Sequence, residues 1–193
     1  MESTSGPDRV FQIAGIAGSL RHGSLNRALL RAAAELAPPS LHIAIHDLRP
    51  IPLYDGDVEA QEVPAPVVAL REVVRAADGL LIVTPEYNHG VPGVLKNAID
   101  WLSRPPRASA LRGKPAALIG ASPGTTGTAR AQSQLRQAFV FTNTYVMPQP
   151  EVLVARAHEK LDQSGVLTDQ ATRAALEAFL KAFSGWVARL AAP

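Results

Sequence analysis

The chain has no cysteine. That absence removes disulfide frameworks, thiolate metal sites and cysteine nucleophiles, so any redox work would need a bound cofactor. Unbalanced charge is also missing: 19 Lys and Arg stand against 17 Asp and Glu, a net charge of +2. They form no basic stripe, and nucleic acid is not an expected partner. The five histidines, at 22, 42, 46, 89 and 158, show no spacing typical of metal ligands. No apolar run is long enough to cross a bilayer, and the opening MESTSGPDR lacks the apolar core of a secretory signal. The expectation is a soluble cytoplasmic protein with a disordered tail over 1–9 and no membrane partner. Core-forming residues are plentiful: 47% of the 193 residues are hydrophobic, enough for one domain over 10–193 and not comfortably for two.

The least ordinary stretch runs from Gly79 to Arg104, GLLIVTPEYNHGVPGVLKNAIDWLSR. Leu80 to Val83 form a short continuous apolar run, as a strand buried on both faces requires. Pro85 stops it, and the loop Glu86, Tyr87, Asn88, His89, Gly90 is suited to hydrogen bonding and to flanking a flat ligand. A helix follows, with Pro92 in its first turn and an apolar stripe in Val91, Leu95, Ala98, Ile99 and Leu102. Trp101 suits packing, while Asn97 and Asp100 suit an orienting or surface role. A polar loop at the carboxyl end of a buried strand is where open α/β sheets bind ligands.

Similar units surround it. Strands are predicted over Val10 to Gly15, Leu41 to Ile45, Lys114 to Ile119 and Thr144 to Met147, the last continuing in Val152 to Val154 beyond a break at Pro148 and Pro150. Helical spacing appears in Leu25, Leu29, Ala33 and Leu36; in Val67, Leu70, Val74 and Ala77; and in Ala131, Leu135, Ala138 and Phe139. A last helix carries Leu176, Phe179, Leu180, Phe183, Val187 and Leu190, with Thr168 as its expected cap. Asp47 to Val63 reads as a long proline-containing connection. Five alternations of strand and helix imply a parallel sheet covered on both faces, because parallel neighbours need crossover connections.

In a five-stranded doubly wound order, the loops after strands one, three and four crowd one edge of the sheet. The first holds Ser19, Arg21, Ser24 and Asn26 at a helix N-terminus, where free N–H groups and the helix dipole favour an anion. It is neither the dinucleotide fingerprint nor a Walker loop. Two readings stand: a phosphate cradle, or Ser24 as a plain helix cap beside a solvated Arg21. Tyr87 could flank a ring or serve as a core or interface aromatic. Glu86 could be a general base, but no partner is visible that would raise its pKa, which favours a structural or hydrogen-bonding role. Ser122, Pro123 and Gly124 offer a second wall that can approach closely.

Taken together, GSLRHGSLNR at 18–27, TPEYNHGVPGVLKNAIDWLSR at 84–104 and GASPGTTGTARAQSQLR at 120–136 resemble the NADPH-dependent FMN reductase family, flavodoxin-like proteins that include chromate, azo-dye and quinone reductases. The resemblance implies a flavodoxin-like sheet of order 2-1-3-4-5 with helices on both faces. It implies Ser19, Arg21, Ser24 and Asn26 on the FMN phosphate, Pro85, Glu86, Tyr87 and Asn88 on the isoalloxazine, and Ser122 and Gly124 on the other side of the ring. Arg130, Gln132 and Glu151 match positions of subunit contact, so a homodimer or homotetramer is expected. The implied activity is hydride transfer from NADPH, with NADH possible, to bound FMN and then by a ping-pong mechanism to a small-molecule acceptor: flavin, quinone, azo compound or metal oxyanion. The arginine for the 2′-phosphate of NADPH is sought at Arg104, Arg107, Arg112 or in another subunit. The rival reading is a flavodoxin-type electron carrier that oxidises no nicotinamide, although such carriers are expected to be acidic. A weaker rival is a non-flavin enzyme or regulatory module holding another phosphorylated ligand.

Overall fold

A computed structural model describes residues 9–191. The expected tail therefore lies outside the described residues except for Arg9, which ion-pairs with Asp78. The strands are β1 (Phe11–Ala17), β2 (Leu41–His46), β3 (Gly79–Val83), β4 (Pro115–Ala121), β5 (Tyr145–Val146) and β6 (Val152–Val154). They form one sheet in the order β2-β1-β3-β4-β5, with every pairing parallel. The expected flavodoxin-like order is borne out. The fifth position is shared: β5 pairs with the start of β4 and β6 with its end. Pro148 and Pro150 lie between the two, and proline has no N–H to give a ladder.

The helices are α1 (Leu25–Glu35), α2 (Gly56–Gln61), α3 (Ala65–Ala76), α4 (Gly93–Leu102), α5 (Ala129–Phe141) and α6 (Gln170–Ala191). Alternate side chains of each strand feed opposite cores, following the period of two. Leu81 and Val83 pack with Leu29 and Leu30 of α1 and Phe179 and Phe183 of α6. Leu80 and Ile82 pack with Val74 of α3, Leu95 and Ile99 of α4 and Phe139 of α5. Every residue of β3 and of β4 is buried, so these strands hold no polar alternation and read in the sequence as unbroken apolar runs.

Two expectations need correction. The connection after β2 contains α2, which has no buried residue and hence no apolar stripe to reveal it; Asp55 caps it by accepting the Asp57 N–H. The connection is pinned by Asn97, which accepts from the Tyr54 N–H at 2.8 Å and donates to the Pro52 carbonyl at 2.8 Å. Trp101 is fully buried and donates to the same carbonyl at 2.9 Å. Secondly, Thr168 does not cap α6. Asp169 does, accepting the Thr172 N–H at 2.8 Å, while the Thr168 hydroxyl donates to the Lys160 carbonyl at 3.3 Å. The Thr172 hydroxyl and then its N–H hold the Asp169 carboxyl below the usual carboxylate range. The carboxylate satisfies the orphan donors of a first turn better than a hydroxyl can.

Gly120 marks the tightest approach in the sheet. A β-carbon there would stand 2.1 Å from Thr128 Oγ1 and 2.3 Å from the Thr84 carbonyl oxygen, which is backbone and cannot swing aside. Gly185, inside α6, has nothing within 4 Å of the same position. Gly120→Ala is expected to destabilise by about 1–3 kcal/mol through overpacking, whereas Gly185→Ala should stabilise by up to about 1 kcal/mol through helix propensity. Thermal denaturation of the two variants checks the contrast.

Candidate functional site

The ladder continues past the strand ends. Gly18 N–H donates to the Val83 carbonyl, Thr84 N–H to Ile119 and Ser122 N–H to Val154, each at 2.9 Å. The three loops therefore leave the sheet at one level and converge over the carboxyl ends of β1, β3 and β4. Between them is an open groove of about 320 Å³. Ser19, Arg21, Ser24, Asn26, Pro85, Glu86, Tyr87 and Ser122 all line it. Asn88 and Gly124, also put forward from the sequence, do not.

In the first loop, Ser24 is the N-cap of α1, its hydroxyl accepting the Arg27 N–H at 3.2 Å. Leu25 and Asn26 begin the helix, so their N–H groups have no intrahelical acceptor. Arg21 is exposed and has no ion-pair partner among the described residues. The cap therefore leaves this helix end open to an anion. Asn26 is different. Its side chain is buried and clasps Ala121, donating to the carbonyl and accepting from the N–H, both at 2.8 Å. Its side chain ties α1 to the end of β4, which leaves its N–H, in the first turn of the helix, as the group that can face an anion.

The second loop folds back as a tight turn in which Tyr87 and Gly90 exchange both backbone hydrogen bonds, at 3.1 and 3.0 Å. Its central residues, Asn88 and His89, have φ of 51° and 61°, the left-handed pair that a mirror-image hairpin turn demands. Asn88 is therefore the tip of the turn rather than a wall of the groove. Tyr87 is 46% exposed, too open for a core aromatic, and its hydroxyl lies 3.5 Å from Ser19 Oγ. The Glu86 side chain turns away to the start of α5. It accepts the N–H groups of Arg130 and Ala131 at 2.9 and 3.1 Å and pairs with the Arg130 guanidinium at 3.2 Å. A carboxylate at a helix N-terminus is favoured by the dipole, so the structural role weighed for Glu86 accounts for its side chain and leaves only its backbone to face a ligand.

The third loop closes on itself: Ser122 Oγ accepts the Gly124 N–H at 3.1 Å, and the Gly124 carbonyl accepts from Arg156 at 2.9 Å. Two residues assigned to subunit contact are engaged within the chain. Arg130 is held by Glu86, and Gln132 is 1% exposed, donating to Thr128 Oγ1 and the Val152 carbonyl. The sequence did not reveal Thr128, fully buried under the third loop, or Gln134, whose side-chain oxygen accepts the Val91 N–H at 2.7 Å and braces the second loop. A polar residue at helical spacing carries no mark of which neighbour it meets. Arg104, Arg107 and Arg112 lie between the end of α4 and the start of β4, at the opposite edge of the sheet. There Arg75 of α3 donates to the Ala108 carbonyl. None of the three lines the groove.

Residues 11–159 match the family described as NADPH-dependent FMN reductase. The chain belongs to this family. An NAD(P)H-dependent FMN reductase of Pseudomonas aeruginosa is 49% identical over 180 residues, covering 93% of this chain and 97% of that one. A quinone reductase of Pseudomonas putida is 45% identical over 179 residues, covering 93% and 96%. Among solved structures, the flavoenzyme NAD(P)H:(acceptor) oxidoreductase FerB of Paracoccus denitrificans superposes with a TM-score of 0.86 at 37% identity, over 93% of this chain and 98% of that one. For an FMN reductase family member, the Asn26 clasp is a feature of the site's frame and is open to a direct test. Asn26→Ala leaves a buried carbonyl and a buried N–H without partners, at an expected cost of about 1–3 kcal/mol for each group left unsatisfied, read as a lower midpoint in urea unfolding.

Proposed function

We propose that residues 10–193 act as one FMN-binding unit that oxidises NADPH, with NADH as an alternative donor, and reduces small-molecule acceptors such as flavins, quinones, azo compounds or metal oxyanions. The observation that carries this reading is the pairing, in one groove, of an anion cradle with a flat, open wall. Ser19, Arg21 and the free N–H groups of α1 suit a phosphate, and the donor set contains no carboxylate free to oppose it, because Glu86 is committed to α5. Tyr87 and the backbone of Pro85 and Glu86 would lie on one side of the ring system. Ser122 and, past the rim of the groove, Gly124 would lie on the other.

When bound, FMN supplies the electron chemistry, taking hydride from a nicotinamide and returning the electrons to the acceptor. The chain's own part is positioning, since hydride transfer needs stacked rings at roughly 3–3.5 Å, together with backbone N–H groups that offset negative charge at the ring. No side-chain acid, base or nucleophile is required. Nicotinamide and acceptor would share one groove mouth, which supports a ping-pong order and a loose choice of acceptor. Val140 and Phe141 at the end of α5 are 80% and 92% exposed, which supports self-association as a dimer or tetramer.

The protein is expected to take up FMN stoichiometrically and to bleach it on anaerobic mixing with NADPH; a persistent yellow colour identifies an electron carrier instead, and a protein that takes up no FMN favours another ligand. Arg21→Ala should weaken FMN binding by roughly 10- to 100-fold, the worth of one charge-assisted phosphate contact. Steady-state kinetics should give parallel double-reciprocal lines, and intersecting lines would refute the ping-pong order. Light scattering should give a mass of two or four chains, falling toward one in the Val140→Asp, Phe141→Asp double variant.

A further inference from the structure

A second cavity, of about 230 Å³, opens between α1 and the carboxyl ends of β1 and β2. Ser19 lines both this cavity and the groove, so the two adjoin. Arg27, Arg31, Ile45, His46 and Asp47 form its other principal walls.

Its charge is lopsided. Arg27 and Arg31 stand one turn apart on α1, where like charges repel. Neither has an ion-pair partner among the described residues. The one carboxylate in the wall, Asp47, is taken up by Arg49 through its guanidinium at 3.1 Å and its N–H at 3.0 Å. Arg27 also falls in the first turn of α1, which has no acidic residue, and the helix dipole disfavours a cation there. Arg31 passes close to Gly165, whose φ is +81°; a β-carbon at that position would meet Arg31 Nη2 at 3.0 Å. Beside these cations Ile45 is 49% exposed, an apolar surface at the end of β2. Two uncompensated guanidiniums next to an exposed aliphatic side chain suit a phosphate carried by a flat heterocycle.

We propose that this cavity binds the adenosine 2′-phosphate of NADPH, with Arg27 and Arg31 on the phosphate and Ile45 against the purine. The assignment rests on the reading that the adjoining groove oxidises a nicotinamide. Neighbouring strands are about 4.8 Å apart, so a site at the β2–β1 step lies about 10 Å from the groove floor at β3 and β4. An extended dinucleotide with its nicotinamide in the groove spans that interval. Donor preference would then be set by α1 of the same subunit.

The FMN-loaded protein is titrated calorimetrically with 2′,5′-ADP and with 5′-AMP. The 2′,5′-ADP is expected to bind at least about tenfold more tightly. Arg27→Gln and Arg31→Gln should each abolish that advantage, Arg27→Lys and Arg31→Lys should keep part of it, and Arg104→Gln, at the far edge, should leave it intact. In steady state the two Gln variants should lose about tenfold or more in kcat/KM for NADPH while holding NADH within about twofold. Equal affinity of the parent for the two nucleotides overturns the assignment, as does an equal loss toward NADPH and NADH. If neither nicotinamide bleaches the flavin, the oxidoreductase reading fails, and the nucleotide titration still decides whether the cavity recognises a 2′-phosphate.

Discussion

The clasp between Asn26 and Ala121 is the interaction on which the groove's shape depends. It joins the first turn of α1 to the last residue of β4, across the intervening β3, with both polar ends of one buried amide matched to both polar groups of one peptide. Buried amides are costly unless fully paired, so this contact holds only when three segments far apart in the chain are all in place. The hydroxyl cap of Ser24, the left-handed turn at Asn88 and His89 and the carboxylate of Glu86 on α5 then fix each loop separately. The polar residues of the site thus divide into some that hold the frame and others that remain open to a ligand.

That division explains what was legible beforehand. Strand order and helix faces could be read because burial on both sides of β3 and β4 leaves continuous apolar runs, while α1, α3, α4 and α6 each bury a single stripe. The three loops stood out because Ser, Arg, Asn, Tyr and Gly cluster where a core would want none. The helix α2 escaped notice for the converse reason, since nothing in it is buried. Individual side-chain roles were less legible. Asn26 and Arg21 belong to one motif with similar polarity, yet one is buried against backbone and the other faces solvent. Spacing along the chain says which residues reach an edge of the sheet; it does not say which of them are already satisfied by a partner nearly a hundred positions away.

Charge follows the same logic on the larger scale. A net charge of +2 is unremarkable, but its distribution around α1 is not, because carboxylates near the groove and its neighbour are neutralised by partners of their own. Glu86 and Asp47 are each held by an arginine, while Arg21, Arg27 and Arg31, which line the two cavities, have no ion-pair partner among the described residues. Local pairing, more than overall composition, determines where an anionic ligand would be favoured.

The divided fifth strand has a consequence for the protein outside its site. An exposed edge of a parallel sheet offers a row of unpaired amides and carbonyls on which another chain can add a strand. Here that row is only two residues long before the prolines at 148 and 150 interrupt it and three residues long afterwards. The carbonyl of Tyr145 is further occupied by the Trp186 indole at 2.8 Å. A template so short and so broken discourages strand addition at this edge and leaves the unbroken β2 as the longer of the sheet's two edges.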